Sequence, residues 1–238
     1  MFAARTIGHR GCAAHAPENT LAAIREASRR GITWVEIDVC VLRDNTPVII
    51  HDDSIDRTTS GKGRLADLEW NQVAGLDAGS WFNPKFAGER VPRLDDALSE
   101  VQRLGLGLNL ELKVHDGEGT RLVDAILPYL HHSGISRDAI LVSSFDHAAL
   151  GALHAAAPSF AIGVLYGEVT PDWRDVARPL DAVAIVGDYR KASEAAIRDV
   201  TGEGRDFYVY TPNEPEAVCA QWHWGLDGVI SDDPQNFL

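Results

Sequence analysis

The sequence predicts a (β/α)8 barrel, or TIM barrel, in a single domain that spans residues 1–238. Short apolar, β-branched runs alternate along the chain with Ala- and Leu-rich segments of helical periodicity. Eight strand–helix units in about 240 residues suit this closed barrel, which places functional groups at the carboxyl ends of its strands. An open doubly wound sheet is the alternative, but no G-x-G-x-x-G sequence follows any candidate strand.

The candidate strands each concentrate branched aliphatic or aromatic residues in a few positions. In chain order they are RTIGH, WVEIDVCVL, GLNLELKV, DAILVSS, FAIGVLY, DAVAIV, DFYVY and DGVIS. Helical segments follow most of them, namely NTLAAIREASRRG, GTRLVDAILPYLHHSG, DHAALGALHAAAP, KASEAAIRDVTGEG and NEPEAVCAQWHWG. Small polar residues are the expected N-caps and glycines the expected C-terminal ends. The caps are Asn19 or Thr20, Asp146 and Asn213, and the glycines are Gly31, Gly134 and Gly225.

One segment interrupts this alternation. Between HDD at 51–53 and the helical LDDALSEVQRLG lie about 40 residues rich in Gly, Asp and aromatic side chains. An insertion of that size in a compact domain usually has a function. We therefore expect a small insertion subdomain at about residues 53–92, after the second strand region, that covers the mouth of the barrel.

Composition restricts the possible partners. The 238 residues are 45% hydrophobic and carry a formal charge of −13, whereas a nucleic-acid partner requires dense Lys and Arg. No apolar run approaches the roughly 18–20 residues that span a bilayer, and an export signal is not evident. Three cysteines without metal-site spacing fit reduced thiols. These features predict a cytoplasmic protein with a small-molecule substrate, no stable membrane insertion and no nucleic-acid partner; they leave the oligomeric state open.

Three carboxylates are expected to converge on one point. Glu36 and Asp38 lie two residues apart on a strand, so their side chains share a face. Glu111 lies on the next barrel strand, about 4.8 Å away. Such a cluster is costly unless a cation lies within it, and an oxygen-only ligand set favours a hard ion. We therefore predict one divalent cation, Mg²⁺ or Ca²⁺.

Other polar residues flank this predicted metal site. His9 ends the first strand and His51 follows the apolar run TPVII, so the two imidazoles suit an acid and base pair. Arg10 offers a forked donor to phosphate oxygens and Lys113 a point charge, although both residues could instead pair with the acidic cluster. Tyr210 ends a strand, where it can line a pocket or pack in the core. Cys12 is interpreted as a buried thiol rather than a nucleophile.

Six motifs then occur in order along the chain. They are HRG at 9–11, PENT at 17–20, EIDV at 36–39, PVIIHDDSIDRTTSGKG at 47–63, NLELK at 109–113 and GLDGVISDDP at 225–234. Together they resemble the signature of the glycerophosphodiester phosphodiesterase family in its cytosolic bacterial form. The resemblance implies a barrel with an inserted subdomain, and it gives the residues already selected their roles. These are metal binding for Glu36, Asp38 and Glu111, acid and base catalysis for His9 and His51, and phosphate binding for Arg10 and Lys113.

The resemblance also implies a reaction, the hydrolysis of glycerophosphodiesters to sn-glycerol 3-phosphate and an alcohol. Glycerophosphocholine and glycerophosphoethanolamine are examples of such substrates. Two departures from the family pattern bear on substrate choice. The loop after HRG reads CAAHA, which puts Cys12 and His15 near the pocket rim, and Tyr210 stands where members often have tryptophan, in reach of the glycerol or head group.

Other functions on the same scaffold are a phospholipase D-like sphingomyelinase, a lysophospholipase and a non-catalytic phosphate-binding barrel. The sphingomyelinases are secreted and have disulfides near the catalytic loop, which this sequence does not offer. A non-catalytic barrel would be expected to lack a histidine or a carboxylate, whereas all seven predicted groups occur here.

Overall fold

Eight parallel strands close into a barrel in the computed structural model, which describes residues 4–238. The strands of the chain are β1 (Thr6–Gly8), β2 (Trp34–Val41), β3 (Pro47–Ile49), β4 (Gly107–Leu112), β5 (Ile140–Ser144), β6 (Ala161–Tyr166), β7 (Ala184–Asp188), β8 (Asp206–Tyr210) and β9 (Gly228–Ser231). All except β3 form the barrel, and β1 closes it by pairing with both β2 and β9. The predicted TIM barrel is therefore confirmed.

The short strand β3 lies outside the barrel and was not among the predicted strands. It pairs antiparallel with the carboxyl half of β2, in a register that joins Ile49 to Val39 and Pro47 to Val41. The eight residues of β2 extend beyond β1, which pairs with β2 only at Val35, so β2 can accept this additional partner. A three-residue apolar run carries too little periodicity to distinguish a strand from a loop.

Helices cover the outside of the barrel. They are α1 (Leu21–Arg29), α2 (Trp70–Val73), α3 (Leu94–Leu104), α4 (Gly119–His132), α5 (His147–Ala156), α6 (Trp173–Ala177), α7 (Glu194–Gly202) and α8 (Cys219–Trp224). Short 3₁₀ helices lie at Leu65–Asp67, Pro84–Phe86, Arg137–Ala139, Pro215–Val218 and Pro234–Phe237. In the described part of the chain, none of these helices has the length and apolar character needed to cross a membrane.

Two of the predicted helix caps are present and one is wrong. The Thr20 hydroxyl accepts a hydrogen bond from the backbone N–H of Ala23 at the start of α1. The Asp146 carboxylate caps α5 through the N–H of Ala149 in the same way. Asn213, however, does not cap α8, because that helix begins only at Cys219 and the Asn213 side chain is bound elsewhere.

Alternation along the strands separates an apolar layer from a polar one. Ile37 and Leu110 point towards the helices and belong to the largest apolar core. Glu36 and Asp38 lie on the opposite face of β2, inside the barrel. Trp34 precedes them on that same face and belongs to a second apolar cluster. The amino-terminal part of the barrel interior is therefore packed, and the acidic residues lie nearer its carboxyl end.

The segment between β3 and α3 packs on the carboxyl half of β2. It contains α2 and two of the 3₁₀ helices. Its apolar side chains join those of β2 and β3 in a third cluster, formed by Cys40, Leu42, Val48, Ile50, Ile55, Leu65, Val73, Ala78 and Val91. We propose that this segment is the insertion subdomain expected at about residues 53–92.

Truncating a buried side chain should show how much the apolar core between the barrel and its helices contributes to the free energy of unfolding. Leu110 is 0% exposed, so Leu110→Ala should lower the free energy of unfolding by about 2–5 kcal/mol in urea denaturation. The matched control is Leu238→Ala, at a position that is 74% exposed, which should change this free energy by less than about 0.5 kcal/mol. Equal effects of the two substitutions would contradict the placement of Leu110 in the core.

Candidate active site

The structure brings together the three carboxylates that the sequence selected. The parallel register of β2 and β4 places Asp38 opposite Glu111. Glu36, Asp38 and Glu111 are all buried, and one carboxylate oxygen from each lies within 4.8 Å of the others. The proximity follows from strand alternation and register, which fix the three side chains on one interior face.

Burial and mutual repulsion shift the pKa values of these carboxyl groups. Burial raises the pKa of Glu36 well above its ordinary value, and the neighbouring charges of Asp38 and Glu111 add to the shift. Burial and then the charge of Asp38 also raise the pKa of Glu111. Burial alone would raise the pKa of Asp38, but the charges of Arg10 and Lys113 outweigh it and lower that pKa.

The cluster fits a divalent cation. Two buried oxygens, Glu36 Oε1 and Asp38 Oδ1, have no hydrogen-bond partner among the described residues. Buried carboxylate oxygens are costly when unbound, so their arrangement favours a positively charged ligand. Lys113 compensates only in part, because its Nζ lies 2.7 Å from Glu111 Oε1 and 3.7 Å from Asp38 Oδ1. An all-oxygen set that could hold a metal ion suits Mg²⁺ or Ca²⁺.

The HRG loop after β1 packs directly against this cluster. The Arg10 backbone N–H donates to Glu36 Oε2 at 2.8 Å, and that of Gly11 donates to the Glu36 carbonyl at 3.0 Å. Gly11 has a φ of +88°, and a Cβ there would lie 2.6 Å from the carbonyl carbon of Ala23. Only glycine fits this position, which explains why a glycine follows His9 and Arg10.

His9 is held by a carboxylate from the far end of the chain. Its Nδ1 donates to Asp232 Oδ1 at 2.7 Å, and its Nε2 lies 3.9 Å from Glu36 Oε2. Asn213 orients Asp232, since its Nδ2 donates to Asp232 Oδ2 at 3.2 Å and its Oδ1 accepts from the Asp232 N–H at 2.9 Å. Asn213 Oδ1 also accepts from the Ser231 hydroxyl, so this amide binds the end of β9 rather than a helix.

His51 is held in a similar way by its neighbour in the chain. Its Nδ1 donates to Asp52 Oδ1 at 2.8 Å. Burial lowers the pKa of His51, and the charge of Asp38 opposes that shift. Because a carboxylate occupies Nδ1 in both His9 and His51, the Nε2 atom of each ring is the one that can serve a ligand.

The predicted phosphate-binding residues also lie here. Arg10 Nη1 donates to Glu18 Oε1 at 2.6 Å, and Arg10 Nε lies 3.2 Å from Asp38 Oδ2. Lys113 Nζ lies 5.8 Å from the centre of the Phe145 ring. Arg10 and Lys113 thus pair with the acidic cluster, as the sequence also allows, and both cations lie at the cavity wall.

A cavity of about 270 Å³ opens over the cluster. Charged residues from the ends of β1, β2 and β4 form one side, and aromatic or aliphatic residues from later strands form the other. Its lining consists of His9, Arg10, Glu36, His51, Glu111, Lys113, Phe145, Leu165, Tyr210, Thr211 and Ile230. The arrangement suits a small molecule with an anionic centre and a less polar end.

Tyr210 lies on the aromatic side of the cavity. Its hydroxyl donates to the Tyr166 carbonyl at 3.0 Å, and its ring contacts that of Phe145 edge to face at 5.7 Å. Phe145 is 45% exposed and was not predicted as a site residue. The available signal was its position directly after the end of β5, at the functional edge of the barrel.

Two residues expected near the pocket rim are not among the residues that line the described cavity. Cys12 is fully buried, and burial raises the pKa of its thiol to about 12, which agrees with its interpretation as an inert thiol. His15 binds Asp233 instead. The sequence does not single out Glu18, Asn213 or Asp232 as site residues, although PENT contains Glu18 and SDDP contains Asp232.

Comparison with known proteins places this chain in a family. The sequence model of the glycerophosphoryl diester phosphodiesterase family matches residues 9–236. A glycerophosphodiester phosphodiesterase of Caldanaerobacter subterraneus is 32% identical over 238 residues, which are 98% of this chain and 95% of that protein.

Solved structures agree with this match. An Oleispira antarctica phosphodiesterase, solved in complex with its product sn-glycerol-3-phosphate, has a TM-score of 0.92 and 34% identity over 96% of this chain and 93% of that chain. A glycerophosphodiester phosphodiesterase of Agrobacterium tumefaciens has a TM-score of 0.79 and 28% identity, with coverage of 98% and 99%. The barrel and the matched sequence together define a phosphoric diester hydrolase. The chain belongs to the glycerophosphoryl diester phosphodiesterase family, which confirms the resemblance and the predicted enzyme class.

Replacing Glu36 should weaken metal binding without lowering the unfolding temperature of the metal-free protein. When a chelator removes the metal, the Glu36→Gln variant should unfold at the same temperature as the wild type or at a higher one. The substitution removes one of three carboxylates that repel one another. With Mg²⁺ or Ca²⁺ the wild type should gain stability, about 2.7 kcal/mol at 100 times Kd, whereas the variant should bind more than about tenfold more weakly. Calorimetric titration and thermal unfolding measure both effects.

Glu194→Gln is the matched control, since Glu194 lies on α7 with an exposed side chain. It should bind the metal as the wild type does. Undiminished metal binding by Glu36→Gln would contradict the assignment of the ion to this cluster.

Proposed function

We propose that the chain hydrolyses glycerophosphodiesters, such as glycerophosphocholine or glycerophosphoethanolamine, to sn-glycerol 3-phosphate and an alcohol. The observation that carries this proposal is the convergence of three buried carboxylates at a cavity that two carboxylate-bound histidines also line. The product bound by the Oleispira antarctica relative supports the choice of substrate class.

Glu36, Asp38 and Glu111 would hold one Mg²⁺ or Ca²⁺ ion through their oxygens. Such an ion polarises a phosphoryl oxygen and stabilises the negative charge that develops there. Arg10 and Lys113, both at the cavity wall, would bind the remaining phosphate oxygens. The guanidinium of Arg10 suits two oxygens at once, while the ammonium of Lys113 acts as a compact charge.

His9 and His51 would transfer the protons of the reaction through Nε2. Hydrolysis of a phosphodiester forms one P–O bond and breaks another. One histidine would remove a proton from the attacking water or glycerol hydroxyl, and the other would protonate the leaving alkoxide. Attack by the glycerol hydroxyl forms a cyclic phosphate, which water then opens. Imidazole can do both near neutral pH. The carboxylates of Asp232 and Asp52 would fix the ring orientation and tautomer by accepting the Nδ1 proton.

The aromatic side of the cavity would contact the parts of the substrate that do not react. Tyr210 and Phe145 present ring surface there, suited to the glycerol backbone or an alkylammonium head group. The net charge of −13 favours this small substrate over a nucleic acid. The free cysteines Cys12, Cys40 and Cys219 are consistent with a reducing, cytoplasmic environment.

Release of glycerol 3-phosphate from a panel of glycerophosphodiesters tests the proposed function. We expect turnover with Mg²⁺ or Ca²⁺ that chelator abolishes. His9→Ala and His51→Ala should each lower kcat by about 10² or more, the usual scale for losing an acid or a base. The control His132→Ala removes an exposed histidine on α4 and should have no effect. Activity that survives both the chelator and His9→Ala would refute the mechanism.

Asp232 should matter through His9 rather than through the substrate. Asp232→Ala frees the Nδ1 side of His9, so kcat should fall about 10–100-fold while substrate KM changes little. Asp233→Ala is the matched control, because Asp233 also binds a histidine, His15, but one outside the cavity lining. Steady-state kinetics measure kcat and KM for both variants. Equal kcat values for Asp232→Ala and Asp233→Ala would contradict the positioning role of Asp232.

A further inference from the structure

Arg57 connects two parts of the candidate site through its hydrogen bonds. It belongs to the segment after β3, and its side chain is 45% exposed. Arg57 is not among the residues that line the cavity. Its guanidinium nevertheless reaches the PENT loop, 39 residues earlier in the chain.

The guanidinium binds two carboxylates, each with two hydrogen bonds. Arg57 Nε and Nη2 donate to Asp52 at 2.7 and 2.9 Å. Arg57 Nη1 and Nη2 donate to Glu18 at 2.7 and 2.8 Å. Because the guanidinium is planar and donates to both carboxylates, it fixes the orientation of each of them. A lysine ammonium cannot do this.

Each of these carboxylates in turn holds a residue of the cavity wall. Asp52 Oδ1 accepts the Nδ1 proton of His51 at 2.8 Å. Glu18 Oε1 accepts from Arg10 Nη1 at 2.6 Å. One exposed arginine therefore lies at the start of two hydrogen-bonded chains, one that ends at His51 and one that ends at Arg10.

Charge balance makes the arrangement dependent on Arg57. The Glu18 side chain is only 12% exposed and has two guanidinium partners. Burial alone would raise the pKa of Glu18, but hydrogen bonds from Arg57 and the charge of Arg10 outweigh it and lower that pKa. Without Arg57, Glu18 would depend on Arg10 alone and Asp52 on His51 alone. Both carboxylates could then change orientation, and the His51 ring and the Arg10 guanidinium bound to them would move with them.

We propose that Arg57 is a positioning residue that sets the orientation of His51 and Arg10 together, through Asp52 and Glu18. The inference rests on the proposed function, in which His51 transfers a proton and Arg10 binds phosphate. It assigns to the segment between β3 and α3 a part in organising the active site, because Arg57 lies in that segment and binds Glu18 in the loop before α1.

Substitution of Arg57 tests this role by kinetics. Arg57→Ala should lower kcat/KM for glycerophosphodiesters by about 10², and Arg57→Lys, which keeps the charge but loses the fork, by about tenfold. Arg174→Ala is the matched control, because Arg174 on α6 also binds two carboxylates, that of Asp199 on α7 and that of Glu203 directly after α7. It should leave kcat/KM unchanged. Arg57→Ala within about twofold of the wild type would overturn the proposal.

A mutant cycle tests whether Arg57 acts through Glu18 and Asp52. In a background with Glu18→Ala and Asp52→Ala, Arg57→Ala should cost less than about threefold, because the groups through which it acts are gone. An undiminished loss in that background would overturn the proposal. If Arg57→Ala does not fold, the same cycle is run with Arg57→Lys, whose tenfold loss should likewise shrink.

Nuclear magnetic resonance of the histidine rings gives a readout that does not depend on turnover. Arg57→Ala should shift the ring nitrogen signals of His51 and leave those of His9 in place, since His9 is bound to Asp232. Absence of turnover in the wild type would refute the proposed function, and the His51 signals would then decide the role of Arg57 separately. Unchanged His51 signals would overturn that role.

Discussion

The repulsion among Glu36, Asp38 and Glu111 is the constraint around which the site is arranged. Strand alternation on β2 and the β2–β4 register force these carboxylates together in a buried place, where their charges are costly. The groups that contact these carboxylates either carry a positive charge or donate a hydrogen bond. Arg10, Lys113 and the backbone N–H at Arg10 all contact the cluster, yet two of its oxygens stay unpartnered within residues 4–238. The site is therefore preorganised for a cation, because its own positively charged side chains neutralise the three carboxylates only in part.

The two histidines are supported in chemically different ways. His9 depends on Asp232, which an uncharged amide orients, whereas His51 depends on Asp52, which a guanidinium orients. These supports come from the end of β9 and from the segment after β3, far apart in sequence. Closure of the barrel between β1 and β9 brings the former into reach of His9. The edge of the barrel that carries both histidines thus depends on the barrel and on the segment that packs beside it.

The elements with strong periodicity could be predicted from the sequence. Strand alternation was sufficient to select Glu36, Asp38 and Glu111, because a period of two fixes the face on which each side chain lies. The three-residue β3 and the five-residue α6 are too short to show a period. Asn213 was misassigned as a helix cap because its local sequence suits one, while its actual partners are the last residue of β9 and the residue after it, 18 and 19 residues later. The support of His9 depends on such a long-range contact, because Asp232 lies 223 residues later in the chain, and a single sequence does not specify it.

The most direct measurement is a crystal structure grown with Mn²⁺, recorded at a wavelength where manganese scatters anomalously. The account predicts one strong anomalous peak among the carboxylate oxygens of Glu36, Asp38 and Glu111, with both histidine rings facing the same cavity. An anomalous map that places manganese elsewhere, with Lys113 still bridging Asp38 and Glu111, would contradict it.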